Sequence, residues 1–296
     1  MISGFTIILE DKILYCSNDQ KYNAFEIILF VEKFLRSINP KNTWRLKKIC
    51  LKGQEIGRER IIVHHIVTPA NQNLFFCIIG DFTVGSQESY KLLNEFVDKV
   101  NFQYSTPDEL KFASEEPVFY NVLNLITAYL KSKYSTTIEE EIIDNDKGYF
   151  FETRVLYAGI SAQGLPIISQ LYDVSLLKNL EKERTKENIE LFSSDLSAKL
   201  ATISMNTQIR ANTKIKEIHI GDTNGNSSER VILFGEINGY SLDFIASGDF
   251  YKNKEIFKYL KSKLSLENTF TTEFSGDLRP FQHLGPYMSN IIKEFN

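Results

Sequence analysis

The residues in this chain with donor or nucleophilic chemistry are few, and their spacing decides what they can do. His64-His65 sits in an apolar run, and antiparallel pairing with the next run would set His65 opposite Cys77, two donors of the kind zinc accepts. Strand alternation sends adjacent side chains to opposite faces, so the two histidines cannot share one ion, and no metal site is expected. Cys16, Cys50 and Cys77 lie inside strand-like segments, away from any helix N-terminus or charged neighbour that would lower a thiol pKa. They read as inert, reduced packing residues. Asp222-Thr223-Asn224-Gly225-Asn226 places oxygens at the first, third and fifth positions of a calcium loop, but Ser227 stands where glycine is needed and Leu233 where the bidentate glutamate belongs. A hairpin turn is the better reading. A phosphate-cradling Gly-x-x-x-x-Gly-Lys-Ser/Thr loop is missing, and no acid, base and nucleophile fall at meaningful spacing. The expectation is a protein without catalytic residues, cofactor or metal.

Composition narrows the partners. The chain has 296 residues, 43% of them hydrophobic and 24% charged, enough to bury two ordinary cores. Its 34 basic and 38 acidic residues are mixed along the sequence, giving a net charge of −4 and no basic footprint for nucleic acid. The start, Met1-Ile2-Ser3-Gly4-Phe5, has no charged leader region, and no apolar run reaches the roughly 18 residues a bilayer requires. Direct membrane insertion is therefore not expected; attachment through a partner stays open, and a cytoplasmic location is the expectation.

The elements that must position these residues occur twice. Phe76-Cys77-Ile78-Ile79-Gly80-Asp81-Phe82 ends an apolar run and opens a helical pattern, and 168 residues later Phe244-Ile245-Ala246-Ser247-Gly248-Asp249-Phe250 does the same. That offset is one domain length, far longer than a solenoid repeat. In the first copy, runs at 5–9 and 13–16 predict a hairpin and 23–38 a helix ending before Pro40. Strands at 44–51, 60–67 and 74–79 follow, then helices at 86–102 and 117–134 joined by a polar loop. In the second copy, strands are predicted at 155–161 and 165–171, a helix at 188–205, strands at 214–220, 230–237 and 241–246, and helices at 253–264 and 279–295. A charged, helix-prone stretch at 175–186 precedes that copy's first helix. The polar segment 135–148 marks a domain boundary near residue 148, giving domains 1–148 and 149–296.

The order β-β-α-β-β-β-α-α in each half, with the repeated Gly-Asp-Phe after the fifth strand, resembles the longin domain. That resemblance implies an α+β fold of two tandem units, each a five-stranded antiparallel sheet with one helix on one face and two on the other. The related roadblock fold begins with a helix and has only one after the fifth strand, so longin is the nearer likeness. The likeness extends to the tandem longin proteins of vesicle trafficking, which pair with one another and act on small GTPases, often as nucleotide exchange factors. It implies a small GTPase or a second longin- or roadblock-type subunit as partner, homo- or hetero-oligomers, and no catalytic residues. A structural adaptor without effect on GTPase turnover, and a small-molecule sensor of the PAS or GAF kind, are the open alternatives.

Surplus apolar surface indicates where a partner would sit. In the first helix Phe25, Ile28 and Leu29 suffice to cover a sheet, yet Ile27, Phe30, Val31 and Phe34 continue round the cylinder. Those four residues are the candidate partner-binding face. The competing reading is that the second copy covers them within the chain. The matching helix of the second copy offers the smaller Ala198 and Ala201 on its flank, and Trp44 is either an edge anchor or a core cap.

Overall fold

A computed structural model describes residues 1–39, 43–52, 58–82, 87–135, 152–174, 176, 185–222 and 229–295. The first half runs β1 (Ile2–Leu9), β2 (Lys12–Cys16), α1 (Tyr22–Ile38), β3 (Trp44–Lys52), β4 (Arg58–Val67), β5 (Asn73–Gly80), α2 (Gln87–Gln103), α3 (Pro107–Ala113) and α4 (Pro117–Tyr134). The second runs β6 (Arg154–Ala162), β7 (Leu165–Leu171), α5 (Lys186–Ala211), β8 (Lys214–Asp222), β9 (Arg230–Ile237), β10 (Tyr240–Ser247), α6 (Phe250–Leu264) and α7 (Leu284–Lys293). The fold is α+β, and all ten strands form one antiparallel sheet in the order β2-β1-β5-β4-β3-β8-β9-β10-β6-β7.

Read from the centre outward, each half has the same strand order. β3 and β8, the third strand of each half, join along their edges with Ile49 opposite Ile218, so like meets like as in a two-fold interface. The junction removes two exposed strand edges at once. On one face α1 and α5 lie side by side over a single core that crosses the junction, including Val31, Phe34, Ile49, Leu196, Ile218 and Ile232. On the other face the two halves keep separate cores. Phe5, Phe76 and Phe96 pack with α2 and α4, while Phe244, Ile256 and Met288 pack with α6 and α7.

Local chemistry accounts for the elements. The hairpins β6–β7 and β9–β10 turn on Gln163-Gly164 and Asn238-Gly239, whose φ values of 51°, 83°, 48° and 90° are those of the primed turns that match strand twist. Asp249 caps α6 by accepting from Lys252 N, giving the second Gly-Asp-Phe a helix-starting role. One helix departs from expectation: the polar loop between α2 and α4 contains α3. Thr106 accepts from Glu109 N, the Glu109 carboxylate returns to the Thr106 amide, Pro107 opens the first turn and Leu110 is buried. α5 extends beyond the predicted 188–205 at both ends, and the predicted 279–295 helix splits into a short 3-10 turn, Arg279–Phe281, followed by α7. The proposed boundary near residue 148, the calcium-loop residues 223–227 and most of the charged stretch at 175–186 lie outside the described residues.

Candidate functional site

Three of the four residues expected to face a partner are core residues. Ile27, Val31 and Phe34 are buried within the chain, and α5 is what covers them. Phe30 alone is half-exposed, with the Arg210 guanidinium 5.0 Å from its ring centre and Arg210 3.6 Å from Glu26. On α5 Leu191, Met205 and Ile209 are 61%, 47% and 71% exposed, and α4 likewise leaves Val118, Leu125 and Tyr129 in solvent. Beside Met205 and Ile209 a cleft of about 280 Å³ opens between α5 and β8–β10, with Phe234, Glu236 and Ser241 on its wall. Trp44 is buried at the β3–β8 seam with Arg230 4.6 Å above its ring, a core cap rather than an edge anchor.

The histidine pair behaves as alternation dictates. His64 faces Asn94 of α2, whereas His65 accepts from the Leu46 amide and lies 2.8 Å from Asn73 Oδ1. His65 stands opposite Phe75, and Cys77 opposite Val63, so the imagined His65–Cys77 pair does not form. Burial, only partly offset by Asn73, lowers the His65 pKa to about 3 and keeps the ring neutral. Burial also raises the thiol pKa of Cys16, Cys50 and Cys77, Cys50 to about 11, so inert thiols are what the environments provide.

A polar cluster that sequence reading missed lies in the seam, on the face opposite α1 and α5. Arg60, Cys50 and Glu217 are in register across β4, β3 and β8, and His219 lies two residues beyond Glu217 on the same face. The donor atoms of Cys50, Glu217 and His219 all lie within 4.8 Å of one another, a set whose types suit zinc. The charges do not. Glu217 is already held by Lys254 Nζ at 2.7 Å and by His219 Nε2 at 3.1 Å, and Lys48 and Arg60 also bear on Cys50. Burial opposes ionising Glu217, but the bonds from His219 and Lys254 outweigh it and hold its carboxyl far below the usual range. Burial drives the His219 pKa down to about 4, leaving a neutral ring that stacks 4.8 Å from Phe250. One carboxylate among three cations is the opposite of what a dication requires. No single strand carries this cluster, so only the seam register reveals it.

Under α5 lies a second unforeseen group. Asp243 is buried with both carboxyl oxygens unpartnered, opposite Gly159 and near the Tyr157 hydroxyl. Tyr157, beside Ser197 and Ser169, and Ser197 itself make no hydrogen bond of normal geometry. Gly159 is required here, since a Cβ at that position would come 2.1 Å from the Tyr157 oxygen. Burial raises the Asp243 pKa to about 7.

No protein-family model matches the chain, and no curated protein matches its sequence. Among the described residues no helix is long and apolar enough to cross a membrane.

Proposed function

We propose that the protein is a tandem longin-type interaction module that engages a small GTPase, or a second longin- or roadblock-type subunit, through the outer surface of the α1–α5 helix pair. The observation that carries this reading is the duplicated strand order, joined edge to edge through like strands with one helix of each half on the shared face. A longin unit carries one helix on one face of a five-stranded sheet and two on the other; α2 and α4 occupy the second face of the first half, α6 and α7 that of the second. α3 is an addition to that plan. With Ile27, Val31 and Phe34 used inside the chain, the contact surface consists of Phe30, Leu191, Met205 and Ile209, and the neighbouring cleft can take a partner side chain. Exchange of nucleotide would come from distorting the GTPase, since the module supplies no reacting groups. It would work in the cytoplasm or at membranes reached through its partner.

The test is retention of purified small GTPases on the immobilised protein with GDP, with a non-hydrolysable GTP analogue and without nucleotide, alongside release of a fluorescent GDP. Retention strongest without nucleotide, faster GDP release, and loss of both in Ile209→Asp and Phe30→Asp are expected. Partners retained regardless of nucleotide would leave the adaptor reading. Failure to retain any GTPase or longin-type subunit would overturn the proposal.

A further inference from the structure

On the face opposite α1 and α5, the two apolar cores leave the seam between them polar, with α6 reaching over part of it through Phe250 on His219 and Lys254 on Glu217. The core beneath α2 and α4 reaches Ile62 on β4, the core beneath α6 and α7 begins at Val231 and Leu233 on β9, and the strip between them on β3 and β8 is polar. One end of that strip gathers like charges. Lys52 and Lys214 are a direct cross-strand pair, an arrangement that destabilises a sheet unless something offsets it. A register shift between Cys50 and Leu51 brings Lys216 into the same end of β8. Lys261 of α6 packs against Gly235 on β9, where a Cβ would lie 3.7 Å from its Cδ. Lys216 is the group that registers the crowding: burial first, then Lys52, Lys214 and Lys261, lower its pKa, with only Glu236 acting the other way. Glu236 is itself paired with Lys214.

Arg60 adds an independent observation. It lies in the next row of the same face, opposite Cys50, and is 6% exposed. Its Nε is buried without a hydrogen bond, and among the described residues no carboxylate forms an ion pair with it. A buried guanidinium without an anion is costly, and its planar donor fork suits phosphate. Four lysines therefore crowd around Glu236, and Arg60 stands in the adjoining row that also holds Cys50 and Glu217.

We propose that this corner of the seam binds a compact anion carrying two or more phosphate groups, with Arg60 at its floor and Lys52, Lys214, Lys216 and Lys261 around it. Adjacent strands lie about 4.8 Å apart, so lysines on neighbouring strands and on the overlying helix can reach neighbouring phosphates of one small ring. A phosphorylated inositol ring has this chemistry, either free or as a lipid headgroup. The site adjoins the cleft beside α5, whose wall includes Lys214 and Lys216, but it requires no GTPase.

The test is calorimetric titration of the full chain with inositol hexakisphosphate, together with co-sedimentation on phosphatidylcholine vesicles with and without a phosphatidylinositol bisphosphate. Binding of the soluble probe would assign a free ligand; binding only to the bisphosphate vesicles would assign the headgroup. Either should weaken by about tenfold or more in Lys52→Ala/Lys261→Ala, whose lysine changes at the sheet's end leave the melting temperature unchanged, and should persist in a control Lys12→Ala/Lys111→Ala. Arg60→Met should abolish binding while keeping a cooperative melt. Absence of binding to both probes, equal loss in the control, or equally tight binding of single-stranded DNA would each overturn the proposal.

Discussion

At the residue scale, the buried carboxyl of Asp243 is the most consequential side chain that local reading could not find. Its folded pKa of about 7 lies above the ordinary aspartate value of 3.8, so its contribution to stability is present below pH 3.8 and is lost as pH rises towards 7. His65 and His219 have lowered values and act oppositely, losing stability as pH falls below the ordinary 6.5. Asp243→Asn isolates the first effect by keeping the shape and removing the charge. The variant should exceed the wild type by on the order of 4 kcal/mol at pH 8 and match it near pH 4, measured by denaturant titration at both values. An equal difference at both pH values would show that Asp243 does not titrate in the fold.

At the scale of elements, α1 shows how an apolar stripe can be read correctly as surplus and still be assigned to the wrong neighbour. A helix apolar nearly all round is buried on two sides; here one side is the sheet and the other is α5. Ile27→Ala should therefore cost about 2–5 kcal/mol, as core truncations do, whereas Phe30→Ala should cost clearly less because its ring is partly in water already. Denaturant midpoints at constant m-value would separate them, and equal costs would contradict the α1–α5 packing. α3 carries the opposite lesson. Its signal, Thr106-Pro107-Asp108-Glu109, is fully local, a capping box with proline in the first turn, yet sequence reading takes the segment for a polar loop and misses the helix.

For the whole molecule, the continuous sheet and the core shared across the β3–β8 seam imply that the halves unfold together. A single transition with coincident probes is expected in thermal or denaturant unfolding, and two resolved transitions would show that each half holds its own stability. Ile218→Asp, placing a charge in that core opposite Ile49, should destabilise both halves at once. The sequence alone determined the α+β class, the alternation of strands and helices, the Asn238-Gly239 turn, the inert cysteines and the repeat of the Gly-Asp-Phe segment. All of these rest on periods, caps and turns that act over a few residues. Only the tertiary structure decided that α5 covers Ile27, Val31 and Phe34, that β3 meets β8, and that Arg60, Cys50 and Glu217 share a row. Those relations join residues more than 150 positions apart, and the strand edge that brings them together is chosen by the packing of two halves, which no local pattern encodes.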